Sequence, residues 1–308
     1  MVKARLQKWL QIGLITCLML TGLPAVLHAD GENADAQTLN WVQGTGQTVE
    51  LGDGLADLKL REDFVFLDGD DARAYQEQLG GMPTNREIGV VFPSSENESW
   101  ALYFEYEETG YVNESEKDDI DADKLLQSYK KGTEEMNKEL DEANRLYVEG
   151  WDVAPFYDEK MHSLAWSLLA HDADQSKLIN YNVRLLSRQG VVSAVLVSDP
   201  EHLAADRQTM EDKLLPAFRL KEGQRYEDYN ADTDKKASFG LTGLILGGVG
   251  VVAAKKLGLL AVILVFAKKF WILIVAAGAA VMRFLRGRKT KQPKDDIDLD
   301  NGQSNQTL

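Results

Sequence analysis

The residues best suited to chemistry in this chain are few, and their spacing decides how far each can go. His162, His171 and His202 are the imidazoles left once His28 is assigned to an export signal. Residues 162 and 171 differ by an odd number, so on one continuous strand they face opposite sides. His202 lies in the first turn of an expected helix, and a zinc site would need carboxylates from elsewhere. No metal site and no cofactor follow from this set. Three acidic runs start like calcium loops. Asp119, Asp121 and Asp123 are followed by Lys124 and Lys130 where Gly and Glu belong. Asp228, Asn230 and Asp232 are followed by Thr233 and Phe239, and Asp296, Asp298 and Asp300 have Gly302 one place late. Helix capping and solvation account for all three. No nucleophile elbow, Ser-x-x-Lys pair or phosphate loop is present. Glu105, Glu107 and Glu108 stand close together, but among 49 Asp and Glu residues such proximity singles out no acid-base pair. One pattern is cleaner. Asn180, Asn182 and Arg184 alternate with Ile179, Tyr181, Val183 and Leu185, so two amides and a guanidinium share one strand face. That face suits a ligand carboxylate or phosphate, or is simply a solvated side of a sheet.

The elements that must position these residues read as follows. Residues 41–60 form short strands broken by glycines, and Phe64–Leu67 is an apolar strand. Asp70 and Asp71 cap a short helix carrying Tyr75 and Leu79, closed by Gly80, Gly81 and Pro83. Ile88–Phe92 and Trp100–Tyr106 make a hairpin with Trp100, Leu102, Phe104 and Tyr106 on one face. A long helix over 121–147 starts at Asp121, with Ile120 and Leu125 as a staple and Leu125, Tyr129, Met136, Leu140 and Tyr147 as its stripe. Trp151–Phe156 pairs with Ser163–Ala170, and Ile179–Leu186 with Val191–Ser198. Asp199-Pro200 opens a helix carrying Leu203, Met210 and Leu214, and a last strand covers 217–220. Hairpins with few helices give an α+β class: an antiparallel sheet with a few packed helices, followed by C-terminal membrane helices. A last helix feeding a last short strand is similar in outline to small PsbP-like sheets, an analogy of fold alone.

Charge and hydropathy divide the chain. Residues 12–27 are apolar and follow Lys3, Arg5 and Lys8, which describes a secretory signal cleaved after Ala29. Thr16 before Cys17 and the apolar run beyond it argue against a lipid anchor. With Cys17 gone, the mature chain has no thiol chemistry. Residues 30–234 hold 19 Lys and Arg against 45 Asp and Glu, a net of −26. Such a surface repels nucleic acid. Residues 235–294 reverse the sign with 12 Lys and Arg. The expected domains are thus a signal at 1–29, an extracytoplasmic domain at 30–236, a membrane-inserting helical region at 237–285, and a disordered cytoplasmic tail at 286–308. Lys268 and Lys269 would each cost about 2.5–3.5 kcal/mol at mid-bilayer. One net crossing at 237–254 keeps Lys255, Lys256 and the basic tail inside. Gly243 and Gly247 would seat a partner helix in that span.

Several stretches resemble a bacterial family of uncharacterised membrane-anchored proteins, the domain of unknown function 2167. They are Glu62–Arg73, Gly110–Val112, Asp121–Leu126, Gly150-Trp151, Pro155–Asp158, Asn180–Leu186 and Gly223–Asn230 running into the apolar block. The resemblance implies an envelope location and carries no catalytic residues. The expected function is a membrane-anchored, extracytoplasmic binding or scaffolding module in the bacterial inner membrane. Its partners are the lipid bilayer, an envelope protein and, through the membrane helix, a second copy. An envelope hydrolase and an accessory transporter subunit are the alternatives. A deep pocket with converging carboxylates and His162 or His171 would favour the hydrolase; a shallow sheet face would favour the module. The topology predicts that a reporter fused after Leu308 signals from the cytoplasm; an external signal refutes it.

Overall fold

Alternation of apolar residues along 100–106, 179–186 and 191–197 dictates a sheet with two buried faces. The computed structural model describes residues 38–247 apart from Gly80, Met82 and Glu96. Its strands are β1 (Val42–Gln43), β2 (Thr48–Leu51), β3 (Ala56–Lys59), β4 (Phe64–Asp68), β5 (Glu87–Pro93) and β6 (Ala101–Glu107). The remainder are β7 (Leu146–Asp158), β8 (Ser163–Asp172), β9 (Lys177–Leu186), β10 (Val191–Val197) and β11 (Phe218–Leu220). The α-helices are α1 (Gly69–Gln78), α2 (Ala122–Asn137), α3 (Leu203–Thr209) and α4 (Leu241–Ile245). Eight strands form one antiparallel sheet in the order β1-β4-β5-β6-β10-β9-β8-β7, and β11-β3-β2 form a second. The expected α+β class, a mostly antiparallel sheet with few helices, is what the chain forms.

Residues paired across the sheet share a face. One row runs Phe66, Val91, Leu102, Leu196, Tyr181. With Phe104, Ala194 and Val183 it packs beneath the small sheet (Leu51, Leu58, Phe218) and the α3 segment (Leu203, Met210, Leu214). On the opposite face separate clusters form under the helices. Ala72 and Tyr75 of α1 cover Val65, Val90, Phe92 and Val197. Leu125 and Tyr129 of α2 join Leu241, Leu244 and Ile245 of α4 over Leu164, Trp166, Leu186 and Val191.

Local chemistry corrects several expected boundaries. Asp68 caps α1, its Oδ1 accepting from the Asp71 amide at 2.9 Å. Asp71 is itself buried and accepts from the Asn40 backbone at 3.0 Å, so it ties down the first described strand segment. Asp121 caps α2 as expected, accepting from the Lys124 amide at 3.0 Å. The helix ends at Asn137, ten residues short of the expected 147. Asn137 grips both backbone groups of Leu146, donating to its carbonyl at 2.7 Å and accepting from its amide at 3.0 Å. This side chain acts as a strand partner and returns the chain to β7, where Leu146 pairs with Asp172. Tyr147, read as part of the helical stripe, is 40 % exposed and stacks on His171 at 5.0 Å. Asp199 and Pro200 form a turn rather than a helical start: the amides of His202 and Leu203 both donate to the Asp199 carbonyl at 2.9 Å, and α3 opens at Leu203.

The largest difference lies at the expected start of the membrane region. Residues 237–247 pack on the domain, past the boundary expected at 236. The Tyr111 amide donates to Lys235 and the Ala237 amide donates to Tyr111, both at 2.9 Å. Gly110 makes this approach possible: its φ is +85°, and a Cβ there would meet the Lys235 carbonyl oxygen at 2.9 Å. The Thr242 amide donates to Glu116 at 3.1 Å, and the Tyr129 hydroxyl donates to the Ile245 carbonyl. Upstream, Arg188 clamps Asp234 with two bonds of 2.7 and 2.9 Å. Leu241, Leu244 and Ile245 are buried. The five-residue α4 is preceded by extended backbone at Gly240, so among the described residues no helix runs continuously through 237–247. Among the described residues no helix is long and apolar enough to cross a membrane. The expected regions at 1–29, 248–285 and 286–308 lie outside the described residues.

Leu102 is fully buried at the centre of the sheet. Leu102→Ala should cost about 2–5 kcal/mol in denaturant unfolding of the domain. Hydrogen bonds from Arg188 and then from the Asn230 amide hold the Asp234 carboxyl well below its usual 3.8. A depressed folded-state value stabilises the fold above pH 3.8, and the contribution fades as pH falls toward the folded-state value. Asp234→Asn should therefore melt earlier than the native chain near neutral pH, and the gap should narrow below pH 3.8. A gap independent of pH would refute the charge-based clamp.

Candidate functional site

The turn between β7 and β8, the end of β9, strand β11 and the segment after it enclose an open pocket of about 510 Å³. Its floor is apolar, with Leu185, Leu186 and Phe218 buried. Its rim carries Lys160, Arg219 and Arg225. None of these three makes an ion pair among the described residues. Glu227 is the one carboxylate lining the pocket. In a domain so acidic, three unpaired cations around one cavity reverse the local field.

His162 lies in the same wall and is held unusually. It precedes β8 with φ +45°, a left-handed conformation that favours glycine, and its carbonyl accepts from the Leu186 amide at 2.9 Å. That turn leaves it outside β8, and His171 sits at the far end of the strand. The His162 Nδ1 is 3.1 Å from Glu114 Oε2, and the same oxygen accepts from the Tyr157 hydroxyl. Burial pushes the Glu114 carboxyl up, but its bonds to Tyr157 and His162 outweigh this and hold it below the usual range. Burial, then the Glu114 bond, raises the Tyr157 hydroxyl far above the ordinary tyrosine value. A charged Glu114 assigns the Nδ1 proton of His162 and leaves Nε2 as the atom able to accept or donate. The His162 ring lies 4.6 Å from Tyr226, which stacks on Tyr111 at 4.7 Å, and Tyr111 stacks on Tyr229 at 3.8 Å. The Tyr226 hydroxyl donates to the Val112 carbonyl at 3.0 Å. Of these rings, His162 and Tyr226 line the pocket, and Tyr111 and Tyr229 stack behind them. Sequence spacing could not have joined residues 111, 162 and 226; only the sheet brings them together.

Asn180, Asn182 and Arg184 do share a face, as the alternation required, and they lie on the face carrying α1 and α2. Arg184 is not a solvated end. Its guanidinium lies 5.1 Å above the Trp166 ring, and Nη1 is buried with no hydrogen-bond partner. Burial pushes the guanidinium below its usual value, with Glu105 opposing the shift. Asn182 Nδ2 donates to the Asn180 carbonyl at 3.2 Å. Gly243 falls within α4, whereas Gly247 has φ +107° beyond it. The two therefore do not share a helical face here, as a membrane-helix seam requires. Among the described residues no three His, Cys, Asp or Glu side chains converge to hold a metal ion. Asp228, from the second calcium-like run, accepts from the Gly223 amide at 2.8 Å and the Arg225 amide at 3.0 Å. The third run lies outside the described residues.

The sequence matches a family described as proteins of unknown function, DUF2167, over residues 43–279. The chain belongs to that family. The DUF2167 match spans the sheet, the pocket and the packed segment after it. No curated protein matches the chain significantly. Among solved structures, the solution structure of cyanobacterial PsbP (CyanoP) from Synechocystis sp. PCC 6803 is similar at 12 % identity. The similarity covers 66 % of this chain and 99 % of that one, with a TM-score of 0.32.

Proposed function

We propose that this DUF2167 protein is a membrane-anchored, extracytoplasmic binding module, and that its pocket takes a small anion attached to an apolar or aromatic group. The anchor reading rests on the apolar block of the sequence, of which residues from 248 lie outside the described structure. The observation that carries the binding reading is the set of unpaired cations, Lys160, Arg219 and Arg225, around an apolar floor. Pockets that bind small molecules combine a mainly apolar lining with a few placed polar groups. Guanidinium groups match the geometry of phosphate and carboxylate. All three cations are exposed, within reach of a ligand, and the Arg219 guanidinium is steadied by donating to the Phe218 carbonyl at 2.6 Å.

The hydrolase reading has one observation of its own. His162, held by Glu114 through Nδ1, has the arrangement of a base whose orientation and tautomer are set by a carboxylate. The transporter reading rests on Lys255, Lys256, Lys268 and Lys269, which lie outside the described residues.

Calorimetric titration of the full chain in detergent with inorganic phosphate and phenyl phosphate tests both readings. Phenyl phosphate should bind more tightly than phosphate, and binding should weaken with added salt. The double variant Arg219→Ala, Arg225→Ala should lose about tenfold or more in affinity. Equal binding by the double variant would sink the anion site. Turnover of phenyl phosphate by the native chain, abolished in His162→Gln, would replace the binding reading with the enzymatic one.

A further inference from the structure

Away from the pocket, the large sheet carries a row of charged residues on the face that the helices α1 and α2 cover. The register sets one row of directly paired residues across four strands: Arg184 on β9, Ser193 on β10, Glu105 on β6 and Glu87 on β5. All four therefore project on the same side. Cluster packing places α1 over β4 and β5, and α2 over β8 and the end of β9. The middle of the row lies between the two helices. Ser193 and Val195 are half-buried there, and the Glu105 side chain is 23 % exposed. The result is a polar strip of the sheet with a helix on each side.

The charges on that strip are incompletely satisfied. The Arg184 guanidinium makes no hydrogen bond among the described residues, and its Nη1 is buried. Glu87 is 3 % exposed; its Oε1 accepts from the Thr84 amide at 2.7 Å, but its Oε2 is buried without a partner. The Glu105 side chain makes no hydrogen bond among the described residues either. Its nearest cation is Arg86, with Nη2 at 3.6 Å, too far for a hydrogen bond, while Arg86 Nη1 lies closer to Glu107 at 3.2 Å. Burial raises the Glu105 carboxyl and lowers the Arg184 guanidinium, so each charge is costly as it stands. Arg184 and Glu105 are two strands apart, about 9.6 Å between backbones. They form no direct ion pair among the described residues. Buried polar groups are normally all paired. A row with an unpaired buried donor, Arg184 Nη1, at one end and an unpaired buried acceptor, Glu87 Oε2, at the other calls for a bridging molecule of matching polarity.

A simple anion does not meet that need. It would satisfy Arg184 but lie beside Glu105 and Glu87. A simple cation fails at the other end. We propose that this strip binds a small zwitterion of amino-acid or dipeptide size, its carboxylate received by Arg184 and its ammonium by Glu105 and Glu87. Asn182, next to Arg184 on the same strand face, supplies an amide for the ligand's remaining polar atoms. This site and the cationic pocket share no residue and stand or fall separately.

Titration calorimetry of the full chain in detergent, with L-alanine, alanyl-alanine, acetate and methylammonium as probes, tests the proposal. At least one zwitterion should bind, and each half-ligand should bind at least about tenfold more weakly. Arg184→Met and Glu105→Gln should each reduce zwitterion affinity about tenfold or more. Arg219→Ala, which touches only the pocket, should leave it unchanged. Absence of binding by both zwitterions overturns the proposal. So does acetate binding as tightly as alanine, which would mark an ordinary anion site. Should either of these two variants of the strip fail to fold, the four-probe comparison on the native chain decides alone.

Discussion

The pairing register of β10 is the constraint on which the rest of this structure depends. β10 lies between β6 and β9, joining the N-terminal hairpins to the C-terminal ones. Seven consecutive pairs lock it to each neighbour. A shift by one residue would turn Val192, Ala194 and Leu196 out of the main core and drive Ser193 and Val195 into it. It would also break the row that aligns Arg184, Ser193 and Glu105. Core packing and the chemistry of the polar strip are thus set by the same choice of register.

The two faces use that register differently. One is wholly apolar along its centre and is closed by the small sheet and α3. The other is apolar only under its helices, and the strip between them keeps charged side chains half-buried. Such groups cost folding free energy unless paired, so their retention on a sheet face suits a binding role better than a structural one. The pocket follows a different rule. Its cations are exposed and cheap to keep, and they matter because most of the surrounding surface is negative. The segment from Arg225 to Ile245 connects pocket and tail. Tyr226 forms part of the pocket wall, and the same segment then pairs with Tyr111 and ends on Tyr129.

Much of the fold was legible locally. The hairpins of β5–β6 and β9–β10 follow from period-two alternation, and Asp121 declares its helix start by type and position. The failures have identifiable causes. Leu140 and Tyr147 continue a helical spacing, but the Asn137 amide captures Leu146, and a long-range strand pair outweighs two more helical turns. Asp68 takes the cap expected of Asp70 and Asp71 because Asp71 is drawn into the core by Asn40. His162 borders the expected strand Ser163–Ala170, and nothing in its neighbours announces its left-handed turn. The apolar character of 237–247 reads equally as membrane or as core; Glu116, Tyr111 and Tyr129, all more than a hundred residues earlier, make it core.

By itself, the sequence determined the class of the fold, the common face of Asn180, Asn182 and Arg184, the acidity of the domain and its family. These depend on period, composition and short spacing, which are properties of neighbouring residues. Only the tertiary structure decided what those residues meet. It set Arg184 on Trp166 and in line with Glu105, and gathered Lys160, Arg219 and Arg225 around one cavity. It also brought Glu114 to His162. Each of these meetings is made by strand register and chain crossing over long separations, and a linear pattern carries no record of partners chosen at that distance.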